Sequence, residues 1–315
     1  MRLVKPKRLA PGATVAIVSP ASPSPTTTHQ VRGIEALERL GYRVVTARHA
    51  NERHLLFAGT EKVRASDINA AFRDRSVQAI ICTRGGCGTA QILPYIDYAL
   101  IAKNPKILVG YSDITALQVA IFNATGLVTF YGPMVATDFG KGMTHYMFNN
   151  LFHILTETEH VIELKNPRNK KIITLCPGRA EGQLSGGCLS VVVASLGTEY
   201  EIDTKGKILF FEDIDEKPHR IDRYLTHLIQ AGKLHQAKGI IFGAFSKCEY
   251  LSRENYYKFG VTVLDIIKER IAPLGIPAIY GLQFGHVSKK LTLPFGGQAT
   301  LDATNQRVVV GPCVE

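Results

Sequence analysis

The strongest constraint on the fold is an alternation of short apolar runs with helical stretches between residues 13 and 131. The runs are Ala13–Ser19, Tyr42–Thr46, Val77–Cys82, Ile107–Gly110 and Val128–Tyr131. Each is too short for an ordinary helix and several are rich in β-branched residues, which suits strands buried on both faces. Between the first two runs, His29–Leu40 places Val31, Ile34, Leu37 and Leu40 at helical spacing, and Gly41 follows as a stop. Lys62–Phe72, Ala90–Tyr95 and Asp113–Asn123 read as further helices, and His145–Leu155 as a closing one. Strands joined through helices run parallel, and a parallel sheet needs cover on both sides. The first half is therefore expected to be an α/β domain with a parallel sheet.

The second half alternates less regularly. Ala180–Ser185, Ile208–Phe211, Gly239–Phe245 and Pro277–Tyr280 read as strands, and Leu189–Leu196, Pro218–Gln230 and Val263–Ile271 as helices. Leu291–Val310 holds several short β-like runs. In the helix beginning at Pro218, proline suits the first turn, and Ile221, Tyr224, Leu225 and Leu228 form the apolar stripe. His160–Gly178 is polar, basic and broken by Pro167 and Pro177. The division that follows is an α/β domain over 1–163, a linker over 164–178 and a mixed α/β domain over 179–315. A chain of 315 residues is long enough for two cores.

Composition excludes several classes. Hydrophobic residues make up 45% and charged residues 20%, an ordinary globular balance rather than a disordered one. No apolar run approaches the ~20 residues that span a bilayer. Basic residues 1–8 followed by apolar residues 9–21 faintly resemble a secretory leader. Pro11-Gly12 interrupts that stretch, so the expectation is a first strand and a cytoplasmic protein with no membrane partner. The six cysteines, Cys82, Cys87, Cys176, Cys188, Cys248 and Cys313, form no CxxC pair and read as free thiols, with no metal site. Lys and Arg number 37 against 27 acids, giving +10. The cations are scattered, densest at Lys165–Lys171 (KNPRNKK), and read as a solvated basic surface rather than a nucleic-acid footprint.

Ligands of parallel α/β sheets bind at the carboxyl ends of strands. Two loops there stand out: Thr83–Gly88 (TRGGCG) after Cys82, and Gly110–Asp113 (GYSD) after Val109. Ser112 lies where a strand turns directly into a helix, the layout of a nucleophile elbow. Ile114 replaces the final glycine of G-x-S-x-G, so from this segment alone a plain helix cap by Ser112 or Asp113 is the favoured reading over a nucleophile. The three glycines of RGGCG let backbone N–H groups approach an anion, or simply make a turn. Cys87 within it reads as a small filler rather than a nucleophile. A serine nucleophile needs a histidine base, which needs an acid to orient it. His286, after Gly285 in a loop, is the histidine that stands apart. Glu212, Asp213 and Asp215 cluster at one strand end, and spacing does not choose among them.

Taken together, the segments PGATVAIVSPASP, RGGCGTAQILPYID, GYSDITAL, YGPM, GRAEGQLSGGCLS, FFEDIDEKPHRIDRYL and FGHVSKKLTLPFGGQATLD resemble the LD-carboxypeptidase (murein tetrapeptide carboxypeptidase) family of serine peptidases. The resemblance runs through most of the chain. It implies a flavodoxin-like first domain and a smaller β-rich second one, paired as a homodimer. It implies Ser112 as nucleophile, Glu212 as orienting acid and His286 as base. Backbone N–H groups of Asp113 and Gly86 would form the oxyanion hole, and Arg84 is a candidate for the substrate carboxylate. The implied reaction is hydrolysis of the L,D-amide to a terminal D-Ala of a muropeptide, without cofactor, in cell-wall recycling. A sibling activity with the same triad, microcin-immunity cleavage of peptidyl-adenylates, is the nearest rival. A non-catalytic anion-binding protein is a more distant one.

Overall fold

The computed structural model describes residues 2–250 and 260–315. The first half supplies five strands: β1 (Thr14–Val18), β2 (Arg43–Thr46), β3 (Val77–Cys82), β4 (Ile107–Gly110) and β5 (Thr129–Tyr131). All are parallel, in the order β2-β1-β3-β4-β5. That is the flavodoxin-like order, in which the chain reverses direction beside β1. β1 and β4 are buried at every position, as the continuous apolar runs require. The helices of this half are α1 (Thr27–Arg39), α2 (Glu61–Arg73), the short α3 (Thr89–Ile92) and α4 (Tyr98–Lys103), α5 (Thr115–Thr125) and α6 (His145–Thr156). Only α4 has no counterpart in the sequence reading. Six residues give too little periodicity to separate a helix from a loop, although Asp97 caps it by accepting from the Leu100 N–H.

The second sheet has eight strands: β6 (Ile162–Glu163), β7 (Ile173–Cys176), β8 (Arg179–Cys188), β9 (Ile208–Ile214), β10 (Gly239–Ser246), β11 (Ala278–Tyr280), β13 (Gln298–Asp302) and β14 (Arg307–Val310), with β12 (Leu293–Phe295) lying elsewhere. Their order is β6-β14-β13-β8-β9-β10-β11-β7. β8 to β11 run parallel in the centre, and antiparallel strands flank them. Helices α7 (Leu189–Ala194), α8 (Pro218–Gln230) and α9 (Val263–Ile271) belong to this half, and α8 and α9 fall on the expected residues.

Three chain segments differ from the sequence reading, and one of them, β12, ties the halves together. Residues 164–178, read as a linker, carry β7, which pairs antiparallel with β11. Ile173–Cys176 is a half-exposed edge strand between basic and proline-rich flanks, so its β signal is weak. β12, from the far end of the chain, pairs antiparallel with β5 and completes the first sheet. β9 continues to Ile214, so Glu212 and Asp213 lie inside a strand rather than after it. Two buried carboxylates hide a strand end from any hydrophobic pattern. Leu9 and residues 14–18, the stretch faintly resembling a leader, are buried in the core. Among the described residues no helix is long and apolar enough to cross a membrane. All six cysteines are free thiols, four of them buried.

Candidate active site

The carboxyl end of β4 delivers Ser112. Its φ of +67° lies in the left-handed region, where a side chain is strained by about 1–3 kcal/mol. The cap position is taken by the preceding Tyr111, in extended conformation, and a 3-10 turn over Ser112–Ile114 leads into α5. Tertiary contacts hold the turn. The Ser112 N–H donates to the Tyr131 hydroxyl at 3.1 Å. The Ser112 carbonyl accepts from the Thr115 hydroxyl at 2.6 Å, whose oxygen accepts from the Cys188 N–H at 3.0 Å. Cys188 ends β8, so the second sheet grips the serine turn from below. The close approach explains Gly187: a Cβ there would lie 2.5 Å from the Thr115 side chain.

The second sheet delivers the other two groups. Glu212 is wholly buried in β9, opposite Cys188 of β8. Successive residues of a strand face opposite sides, so Asp213 points away from Glu212. Asp213 accepts from the Ser190 N–H at 2.8 Å and the Ile214 N–H at 2.9 Å. Asp215 is exposed, 4.0 Å from Lys247. Of the three clustered acids, Glu212 alone meets His286. Its Oε2 lies 2.8 Å from His286 Nδ1 and accepts from the His286 N–H at 3.1 Å. His286 Nε2 lies 3.0 Å from Ser112 Oγ. A buried carboxylate is tolerated only when its oxygens are satisfied, and the second oxygen accepts from the Tyr131 hydroxyl at 2.6 Å. Tyr131 thus links Glu212 to the Ser112 backbone. Gly285 permits the approach of the histidine: a Cβ there would lie 2.2 Å from the Glu212 carboxyl.

The electrostatics divide sharply between neighbours. Burial, and then the Glu212 carboxylate, push Asp213 up to about 6. Burial also pushes the Asp113 carboxyl up, against the Thr89 N–H that donates to it at 2.8 Å. The Tyr131 hydroxyl is driven far above its usual range, first by burial and then by Glu212, and stays a neutral donor. Behind His286, the Tyr111 ring meets the imidazole edge-on at 5.1 Å between centroids. The buried Lys290 donates to the Tyr111 hydroxyl at 2.8 Å and to Asp138 at 2.6 Å. Burial pulls the Lys290 ammonium down, yet Asp138 and Tyr111 outweigh it and hold the group charged.

The RGGCG loop runs against the serine. A Cβ on Gly85 would lie 2.8 Å from Ser112 Cβ and 3.3 Å from the Asp113 nitrogen. Gly86 follows with φ +119° and is backed by Ser22, whose hydroxyl accepts from the Cys87 N–H at 3.2 Å. Arg84 is half-buried, and its Nε is buried without a hydrogen-bond partner. Hydrogen bonds join Ser112, His286 and Glu212, Asp113 follows the serine in the chain, and the loop that holds Arg84 and Gly86 packs against the serine through Gly85. Sequence reasoning missed Tyr131, Asp138 and Lys290 as parts of the site. Tyr131 falls in the YGPM segment and Lys290 in FGHVSKKLTLPFGGQATLD, but nothing local marks Asp138 or its pairing with Lys290 across 152 residues.

Two family models cover this arrangement. The LD-carboxypeptidase N-terminal domain matches residues 15–132 and the LD-carboxypeptidase C-terminal domain residues 181–301. The chain belongs to the LD-carboxypeptidase family. A Bacillus subtilis protein named a probable murein peptide carboxypeptidase is 40% identical over 97% of this chain and 94% of its own. The microcin C7 self-immunity protein MccF of Escherichia coli is 29% identical over 96% of this chain and 94% of its own. Among solved structures, MccF superposes with a TM-score of 0.90 at 25% identity, covering 99% of each chain. A muramoyltetrapeptide carboxypeptidase from Oxalobacter formigenes gives 0.83 at 31% identity, covering 96% of this chain and all of its own. Family membership supports a serine carboxypeptidase and leaves substrate and residue roles to the geometry.

Proposed function

We propose that this protein is a serine LD-carboxypeptidase that removes the terminal D-Ala of murein tetrapeptide, acting in the cytoplasm on recycled cell-wall peptides. The observation that carries the reading is the continuous chain from Ser112 Oγ to His286 Nε2 at 3.0 Å and from His286 Nδ1 to Glu212 at 2.8 Å. Nucleophile, base and orienting acid stand within hydrogen-bond reach in the order acyl transfer needs. Glu212 fixes the tautomer with Nδ1 protonated, so Nε2 can take the serine proton. Ser112 Oγ then attacks the carbonyl of the L-centre. The developing oxyanion is held by the N–H groups of Asp113 and Gly86, and the helix that starts at this turn favours the same charge. His286 returns its proton to the D-Ala amine as the amide breaks. Water, deprotonated by His286, cleaves the acyl-enzyme and regenerates Ser112. The Arg84 side chain, with its unsatisfied Nε, suits the terminal carboxylate that distinguishes a carboxypeptidase substrate. By family resemblance the protein works as a homodimer.

Mass spectrometry of murein tetrapeptide incubated with the protein, beside Ser112→Ala, tests the reading. D-Ala release by the wild type alone supports it; equal release by both discards Ser112 as nucleophile. A second reading is peptidyl-adenylate cleavage. It is favoured by the likeness to MccF, which has been solved with aspartyl sulfamoyl adenosine and glutamyl sulfamoyl guanosine. Turnover of a peptidyl-adenylate analogue with no D-Ala release would select it.

A further inference from the structure

The basic run KNPRNKK does not lie free on the surface. Asn166 pins it to the segment that carries the histidine. Its amide donates to the Gly281 carbonyl at 2.9 Å, and its side-chain oxygen accepts from the Gln283 N–H at 2.8 Å. The Lys170 N–H donates to the Pro167 carbonyl at 2.9 Å and closes a tight turn. The Tyr146 hydroxyl holds the base of the turn through the Lys165 carbonyl at 2.7 Å. Gly281 leaves room for the approach, since a Cβ there would lie 2.8 Å from the Lys171 carbonyl oxygen.

The pinned turn lines a cavity of about 730 Å³ that His286 also lines. Arg168 and Lys170 face it from the turn, and Lys289 from the loop after the histidine. No acidic residue lines it, and none of the three cations forms an ion pair among the described residues. Three unpaired cations held in one concave rim raise the local concentration of anions, and the shallow dielectric boundary of a cleft strengthens the effect. The cavity is far larger than a D-Ala residue needs. Arg84 belongs to the other loop, after β3, and does not line it.

We propose that this cavity is a subsite for the acyl side of the substrate, in which Arg168, Lys170 and Lys289 bind carboxylates that precede the scissile bond. It selects peptides whose non-terminal carboxylates are free over those in which they are amidated. The assignment rests on the LD-carboxypeptidase reading. It also gives a purpose to the pinning by Asn166: a guanidinium and an ammonium fixed on a rigid turn lose less freedom on binding than they would on a mobile linker.

The test compares murein tetrapeptide with an analogue whose non-terminal carboxylates are amidated, on the wild type and on the Arg168→Ala/Lys170→Ala double variant. Both side chains are exposed, so the double variant keeps the fold. The wild type is expected to prefer the acidic peptide by roughly 10–100-fold in kcat/KM, mainly through KM. The double variant should lose that preference while its rate on the amidated peptide changes less than about threefold. Arg168→Lys/Lys170→Arg should restore most of it, and raised salt should shrink it in the wild type alone. Equal treatment of both peptides by the wild type, or equal losses on both in the double variant, overturns the subsite while D-Ala release keeps the reaction standing. No D-Ala release from either peptide overturns the reaction, and the subsite falls with it.

Discussion

Ser112 stands half-buried at the end of β4 with φ at +67°, while Glu212 lies inside β9 with no exposure and ordinary strand backbone. The first is placed by a strained turn, the second by packing and by the donors that surround it. Strain is local, so the serine turn should tolerate loss of its side chain. A buried charge is a global commitment. Removing it or its donors disturbs both the chemistry and the core. The cleft thus separates into a side where activity and stability are independent and a side where they are coupled.

Replacing Ser112 cuts this contrast most cleanly. Ser112→Ala and Ser112→Gly should each lower kcat by at least about 10⁴-fold. Neither should destabilise the fold, and Ser112→Gly should equal or exceed the wild type in denaturant midpoint, because glycine accepts a positive φ without strain. Destabilisation by about 2 kcal/mol or more in Ser112→Gly would end the view that the turn is strained. On the coupled side, Glu212→Gln should lower kcat by roughly 10²–10⁴-fold and also destabilise by about 1–3 kcal/mol, read by urea unfolding beside turnover. An unchanged midpoint would break the comparison.

Gly285→Ala sharpens it from the backbone side. Its Cβ would meet the Glu212 carboxyl at 2.2 Å, on a residue whose φ is +81°. Stability should fall by about 2–4 kcal/mol, with activity lost in parallel. Tyr131→Phe removes a hydroxyl that serves both sides, leaving one Glu212 oxygen and the Ser112 N–H without it. A loss of about 1–3 kcal/mol and roughly tenfold in kcat is expected.

A pH dependence of stability that leaves activity untouched comes last. Asp213 titrates at about 6 in the folded protein against an ordinary 3.8. A raised carboxyl favours the folded state when protonated. Its contribution is full below 3.8 and is lost as pH rises to about 6. The shift of about two units corresponds to at most about 3 kcal/mol. Asp213→Asn should flatten that part of the stability curve between pH 4 and 6 while leaving the triad geometry in place. Matching slopes in wild type and variant would show that Asp213 is paired more favourably than its burial implies.

Much of this was legible in the residues. The apolar period from 13 to 131 dictated the parallel sheet, because strands buried on both faces leave no other pattern. Helices α8 and α9 fall on the residues read for them, α8 from its first-turn proline and apolar stripe. The glycines of RGGCG and the strand-to-helix step at Ser112 marked the end of the sheet where a ligand binds. The rest depended on chain segments meeting over long separations. Spacing left Glu212, Asp213 and Asp215 equivalent, and only the facing of β9 against β8 turned one of them toward His286. β7 and the fixed basic turn read as a linker, because short edge strands carry little hydrophobic signal. Asp138 carries no local mark, and its pairing with Lys290 spans 152 residues. Most of the long elements could be read from the residues, since periodicity and capping act over a few positions. Which carboxylate is buried against the histidine and which cations face the cleft came from tertiary contacts, because the partners involved lie 74 to 117 residues apart in the chain.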